Sequence, residues 1–399
     1  MKVIFLTIVE INSIDDRGIY HDLLRKFRNE GHDVTIVTPV ERRKSKPTSF
    51  TQHDGVSILQ VKTFNIQKTN VVEKGIGTLA IEYQFLHAIK KYLSNQKFDL
   101  ILYSTPPITF SKVISYIKKT DRAFAYLLLK DIFPQNAVDM KMIKEGGVIH
   151  RLFLKKERKL YEISDMIGCM SEANKEYVIK HNPYLAPTKV EVNPNTIEPI
   201  SIVTDPAELS TIRQKYQLPL SKKILVYGGN LGKPQGVDFL LETIQSAKNP
   251  AAHFLIVGSG TEFSRMQDWF LKHNPSNATL LSGLPKADYD KVLAGCDIGL
   301  IFLHQDFTIP NFPSRLLSYL EMGIPVLAAT DVNTDIGHVI EKADCGYWVK
   351  AGNIKEMLGA INTMVDGDLK VQSEHARQLL LDEYTVDRSY HLITDKVNV

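Results

Sequence analysis

Three stretches of this sequence combine glycines, amides and cations where a strand gives way to a helix. The first is Tyr227-Gly228-Gly229-Asn230-Leu231-Gly232-Lys233-Pro234-Gln235-Gly236, directly after an apolar run and before a helical segment. Its glycines let the backbone approach a ligand, and free amides at a helix start bind phosphate. Lys233 would neutralise charge, and the Asn230 and Gln235 amides would donate hydrogen bonds. A tight strand-to-helix turn is the plainer reading of the same residues. The second stretch, Gly258-Ser259-Gly260-Thr261, lacks the third glycine of a dinucleotide fingerprint. Tight packing explains it as well as a ligand does. The third runs from Ile309 to Val326, with a helix opened by Pro313-Ser314 and Arg315 in its first turn. An arginine there opposes the helix dipole, so a bound diphosphate explains it better than helix stability.

Carboxylates offer a second kind of chemistry. Lys130-Asp131-Ile132-Phe133-Pro134-Gln135-Asn136 follows a buried strand, and Asp131 there could act on a hydroxyl or merely cap a loop. Asp15-Asp16-Arg17-Gly18 lies in a similar place near the start, and ligands of open α/β sheets bind at such strand ends. Asp288-Tyr289-Asp290 has metal-binding spacing but falls just inside a helix, where a helix-start role is the better reading. No His-x-x-x-His, Walker or Gly-x-Ser-x-Gly pattern occurs, so zinc, P-loop and hydrolase chemistry fall away. No metal site is expected.

Residues at strand ends need a sheet to hold them. Short β-rich runs alternate with amphipathic stretches throughout, the signature of parallel βαβ units. The spacing predicts strands at Val3 to Ile8, Val34 to Thr38, Ser57 to Lys62, Leu100 to Tyr103, Ala123 to Leu129, Met166 to Cys169 and Val190 to Asn193. Helices are predicted over Gly18 to Glu30, Gly77 to Ser94 and Ile149 to Ile163. A Pro- and Asn-bearing linker from Asn193 to Asp205 interrupts the pattern. It restarts with Lys223 to Tyr227, His253 to Val257, Thr279 to Leu281, Ile298 to Phe302 and Val326 to Ala329. We therefore expect an α/β protein of two doubly wound domains, 1–193 and 194–382, with a helix in 383–399 crossing back to the first.

The 399 residues are 44% hydrophobic and 23% charged, which suits two soluble cores. No apolar run is long enough to span a bilayer. Met1 to Ile11 reads as a buried first strand rather than a leader. Cys169, Cys296 and Cys345 are too few and too scattered for a disulfide framework, which suits a cytoplasmic protein. Residues 1–190 hold 30 Lys and Arg against 20 Asp and Glu, and the remainder 18 against 25. Arg42 to Pro47 reads as a solvated loop. Between Lys141 and Lys159, however, seven basic residues interleave with Ile149, Leu152, Phe153, Leu154 and Leu160. Such a helix either packs partly on a core or lies against an anionic membrane.

In this order and spacing, Arg17-Gly18-Ile19-Tyr20, Lys130-Asp131-Ile132-Phe133-Pro134, Gly229 to Gly236 and Pro313-Ser314-Arg315 resemble the family 4 retaining glycosyltransferases. The resemblance spans essentially the whole chain, and is to the O-antigen and capsule branch that adds N-acetylfucosamine from a UDP-sugar. It implies the GT-B fold, two Rossmann-like domains facing across a cleft. The first domain would bind the acceptor and the second the donor. It assigns Gly229, Asn230, Lys233, Gln235, Gly236, Gly258, Leu284, Ser314, Arg315, Leu316 and Ser318 to the donor. Arg17, Gly18, Lys130 and Asp131 fall on the acceptor side, with Asp131 and Arg315 catalytic. The wider family has an Arg and a Lys where this sequence has Asn230 and Gln235, so charge compensation passes to Lys233 and Arg315. Its two glutamates are replaced by Pro310 and Ser318, leaving Ser318 or Glu321 for the donor ribose.

The implied reaction moves a sugar from a UDP-sugar, used as substrate with no further cofactor, to a polyprenyl-pyrophosphate-linked sugar in capsule, O-antigen or exopolysaccharide synthesis. The implied location is the inner face of the cytoplasmic membrane, with no nucleic acid partner. A UDP-sugar 2-epimerase of the same fold and a non-catalytic assembly protein are the alternatives. A nicotinamide oxidoreductase is disfavoured by the missing fingerprint.

Overall fold

The computed structural model describes the chain except residues 54, 67–70, 202–204 and 398–399, and except the side chains of 71, 72 and 74. The predicted linker therefore lies partly outside the described residues. Two compact units result, Met1–Glu198 with Val386–Val399, and Pro199–Thr385.

The first unit is built on eight strands among the described residues: β1 Lys2–Leu6, β2 Asp33–Glu41, β3 Ser49–His53, β4 Val56–Thr63, β5 Leu100–Ser104, β6 Phe124–Leu129, β7 Met166–Cys169 and β8 Val190–Val192. Their order is β3-β4-β2-β1-β5-β6-β7-β8. All pairs are parallel except β3 with β4. The sheet interior reads as continuous apolar sequence because helices cover both faces. The order reverses between β1 and β5, so the loops leaving these two strands open at the switch point, with the loop leaving β6 next to them.

The second unit carries β9 Lys223–Asn230, β10 Ala252–Ser259, β11 Ala278–Ser282, β12 Ile298–Phe302, β13 Val326–Thr330 and β14 Gly346–Lys350. Their order is β11-β10-β9-β12-β13-β14, all parallel, with the switch point between β9 and β12. Each unit is thus a Rossmann-like, doubly wound sheet.

Two strands escaped the sequence reading. Ser49–His53 has no buried residue, so its pattern lacks the apolar signal of a strand. Gly346–Lys350 begins with glycine and is buried only at Val349, although both are regular sheet edges. The basic turn after β2 is exposed but tethered, with Lys44 Nζ 2.6 Å from Glu10 and Arg42 3.0 Å from Glu73.

The first unit reclaims the end of the chain. Tyr390 on the helix Val386–Val397 bonds His32 at 2.8 Å and meets Phe27 edge-on at 5.0 Å, while Ile393 is fully buried in the core of the unit. Ser389 donates to Asn193 at 2.7 Å, and Val386 N–H donates to Ile197 C=O. Glu198 N–H meets Asp22 at 3.0 Å, so the chain stays bonded to this unit until Pro199. Ile393→Ala should cost about 2–5 kcal/mol as a large-to-small change at a buried site. Chemical denaturation would show this as a lower midpoint, and an unchanged midpoint would mean that the helix adds little to the core.

Candidate active site

In the second unit the two glycine turns lie side by side, because the parallel register carries Gly229 opposite Gly258 and Asn230 opposite Ser259. They are stitched by Leu231 N–H to Ser259 C=O and Glu262 N–H to Leu231 C=O, both 2.9 Å. A Cβ on Gly258 would sit 2.1 Å from the Gly229 oxygen, and one on Gly260 2.3 Å from the Leu231 oxygen. Packing against the first turn is therefore sufficient reason for the glycines of the second. Gly283, just before Leu284 in the loop after β11, lies against Ser259.

The pairing of β9 with β12 ends at Val226 and Gly299. Tyr319 occupies the parting. Its hydroxyl accepts from Gly228 N–H at 3.3 Å and lies within donating reach of the Val226 and Leu300 carbonyls, at 3.1 and 3.0 Å. Burial pushes this phenol well above its usual range, so it stays protonated and able to donate. Tyr319 belongs to the short helix Arg315–Glu321, and residues four apart share a helix face. Anchoring Tyr319 therefore also places Arg315.

The Arg315 guanidinium lies 4.1 Å over the Tyr227 ring and donates to Gln235 Oε1 at 2.5 Å. Tyr227 donates to the Asn230 carbonyl at 2.9 Å and also reaches Gln235 Oε1, at 3.3 Å. A Cβ on Gly229 would come within 3.8 Å of Arg315 Nη2. The other terminal nitrogen, Nη1, is buried with no hydrogen-bond partner. A guanidinium with one fork arm fixed and the other unmet is prepared for an anion beside the glycine turn.

The structure thus gathers Gly229, Gln235 and Arg315, and it adds a contact for Gln235 beyond the expected one. Its amide oxygen accepts from Arg315, a contact compatible with donation by its amide nitrogen. Lys233, exposed in the turn Lys233–Gln235, lines a pocket with Gly236, Asp238, Glu242 and His304 that neither Gly229, Gln235 nor Arg315 lines. Gly236, at φ 57°, is pressed against the Leu303 carbonyl. Ser314 is exposed, Ser318 half-buried and Leu316 buried. Glu321 is turned away from the turn: it is buried and accepts from Ile200 N–H at 3.2 Å. Asp290 pairs with Lys286 inside the helix Lys286–Ala294. Tyr289 between the two aspartates instead fills the space beside Gly228. Among the described residues no three His, Cys, Asp or Glu side chains gather to hold a metal.

In the first unit Thr105 organises the loop after β6: its hydroxyl accepts from Lys130 and Asp131 N–H and lies 3.1 Å from the Asp131 carbonyl. Burial raises the Asp131 carboxyl to about 6, against the lowering effect of the Ile132 N–H and the Asn136 amide. Burial also lowers Lys130 to about 7, with its ammonium 3.3 Å from the Asn193 carbonyl. Lys130 shares a small pocket with Ile19 and Tyr20, the first residues of the helix that follows Arg17 and Gly18. Arg17 reaches the Glu198 carbonyl at 3.5 Å, and Gly18 N–H meets Asp22 at 3.2 Å.

Sequence reasoning missed Tyr227, Tyr289 and Tyr319. Tyr319 carried a usable signal, its spacing of four from Arg315.

Residues 19–199 match the family described as Glycosyltransferase Family 4, and residues 209–379 match Glycosyl transferases group 1. The chain is a glycosyltransferase of the GT-B type. It is 21% identical over 376 residues to the probable glycosyltransferase WbjE of Pseudomonas aeruginosa, covering 92% of this chain and 90% of that protein. It is 25% identical over 138 residues to the putative colanic acid biosynthesis glycosyl transferase WcaI of Escherichia coli K12, covering 34% and 33% of the two chains. Among solved structures, Anabaena HepE in complex with UDP and glucose superposes with a TM-score of 0.73 at 14% identity, covering 100% and 99%.

The parting of β9 and β12 gives one direct prediction. Tyr319→Phe leaves the Gly228 N–H without its acceptor, at a cost of about 1–3 kcal/mol for a buried polar group. Urea unfolding should show the loss, and an unaltered midpoint would mean that the hydroxyl is not needed to close the sheet.

Proposed function

We propose that this glycosyltransferase moves a sugar from a UDP-sugar to a sugar carried on polyprenyl pyrophosphate, with retention, in capsule, O-antigen or exopolysaccharide synthesis. The observation that carries the reading is the buried, unpartnered Nη1 of Arg315 beside the glycine turn. The UDP named for the HepE structure supports the donor class, and the colanic acid pathway named for WcaI supports the polysaccharide setting. N-acetylfucosamine is the sugar we favour.

In this scheme the bond from the anomeric carbon to the diphosphate breaks, and a bond to the acceptor oxygen forms on the same face. Negative charge grows on the departing phosphate oxygen, where Arg315 and the turn amides stabilise it. That phosphate takes the acceptor proton, and Asp131 orients the hydroxyl. Lys233 is a further cation on the exposed side of the turn, and Ser318 is the nearest polar replacement for the missing ribose ligand. Arg315→Ala should lower turnover about 10²-fold or more, as removal of a transition-state donor does. Near-normal turnover in a folded variant would remove Arg315 from the chemistry.

Among the described residues no helix is long and apolar enough to cross a membrane. The first unit nevertheless presents a mixed apolar and basic surface. On the helix Val148–Ile163, Val148 is 82% and Ile149 59% exposed, with Leu152 and Leu154 also outward. Ile76, Leu79 and Tyr83 are exposed on the helix Val71–Tyr92, which Lys156 joins through Glu82 at 3.7 Å. Leu160 is buried, and Phe153 packs edge-on against Phe133 at 4.9 Å, so part of the helix faces the core. The outward part suits an anionic membrane on the cytoplasmic side, and Phe133 links it to the loop bearing Asp131. Each basic residue near such a surface adds about 1 kcal/mol. The chain should sediment with phosphatidylglycerol vesicles at low salt and detach as salt rises. Changing Lys155 and Lys159 to Glu should weaken sedimentation while sparing UDP binding; unchanged sedimentation would leave this face as ordinary surface.

A further inference from the structure

We infer that Asn136 is a positioning residue that fixes the Asp131 carboxylate for the acceptor hydroxyl, an assignment that rests on the transfer reading above. Asn136 lies in the short helix Gln135–Asp139, which begins just beyond the loop that carries Asp131. Its amide nitrogen is 2.8 Å from one carboxylate oxygen of Asp131 and 2.7 Å from the other. A single NH₂ group spanning both oxygens sets the rotation of the carboxylate about its last bond, a torsion that is otherwise broad.

The other end of the amide shows what holds it there. Asn136 Oδ1 is buried and has no hydrogen-bond partner. Leaving a buried acceptor unmet costs free energy, so the donation to the carboxylate has to offset that cost. The arrangement makes sense if the carboxylate needs the amide. The remaining polar groups nearby are already engaged. Lys130 turns to the Asn193 carbonyl, Asp139 accepts from Gln135 at 2.9 Å, and Thr105 bonds the Asp131 backbone rather than its side chain.

The consequence is electrostatic as well as geometric. Asp131 is raised to about 6 by burial, and Asn136 is among the groups that pull it back towards the ionised form. A carboxylate that must be ionised to accept from a sugar hydroxyl loses activity as pH falls through its own pKa. Removing the Asn136 donors favours the protonated form, so the loss should begin at a higher pH.

The test uses full-length protein labelled with ¹³C at aspartate carboxyls, with Asp131→Asn identifying the resonance. In the parent protein the Asp131 carboxyl should titrate near pH 6, and in Asn136→Leu its midpoint should rise by about one unit, a typical hydrogen-bond contribution. Transfer is measured in parallel from UDP-N-acetylfucosamine to a phytanyl-pyrophosphate-linked N-acetylhexosamine. With Asn136→Leu, acceptor kcat/KM should fall about 10²-fold, as for a misoriented catalytic group, while UDP affinity stays unchanged. Asn136→Asp should invert the acid side of the pH dependence. A pair of facing carboxylates holds one shared proton, and only that protonated pair can still donate to Asp131. An unmoved Asp131 midpoint in Asn136→Leu would overturn the inference. So would undiminished acceptor kcat/KM in Asn136→Leu alongside a strong loss in Asp131→Asn. Full transfer by Asp131→Asn, or no transfer by the parent protein, would instead contradict the proposed function on which the inference rests, while the titration would still show whether the Asn136 amide stabilises the Asp131 carboxylate.

Discussion

Two parallel strands that separate at a switch point expose backbone amides and carbonyls that must find other partners. Here β9 and β12 separate after Val226 and Gly299, and the hydroxyl of Tyr319 meets the freed groups on both sides. Gly299 makes room for the ring, since a Cβ there would sit 2.5 Å from it. The proposed donor side of the site depends on this plug. It fixes the helix whose first residue is Arg315, and so brings a guanidinium over Tyr227 and against Gln235.

The same geometry explains how the second unit manages without the two basic residues of the wider family around its glycine turn. Gln235 accepts a hydrogen bond that orients the Arg315 fork, and Tyr227 supplies an aromatic face for the cation. The buried positive charge beside the turn thus comes from a residue on another element, while Lys233 is the exposed cation of the turn itself. In the first unit, burial works on the opposite charge. Asp131 sits in a loop braced by Thr105 and held by Asn136, where desolvation disfavours its ionised form.

Local signals were legible in the sequence wherever one residue type is required by one geometry. The apolar strands, the glycine turn and the strand-end placement of Asp131 all belong to this kind. The edge strand β3 did not, because its residues face solvent and carry little apolar pattern. The second glycine turn left packing and a ligand equally open, and the register shows that Gly258 and Gly260 make room for the backbone of the first turn. The place of Gln235 in the turn was legible, but nothing local says that its amide oxygen meets Arg315, 80 positions away. Nor could spacing reveal that Glu321 is spent on the Ile200 amide. Contacts that join distant segments set these roles.

The central claim is that the diphosphate of a nucleotide sugar binds at the unmet arm of Arg315. The most direct measurement is a crystal structure of this protein with UDP. The account predicts phosphate oxygens within hydrogen-bond distance, about 2.7–2.9 Å, of Arg315 Nη1 and above the backbone of Gly229. UDP bound elsewhere, with Nη1 still unpartnered, would contradict it.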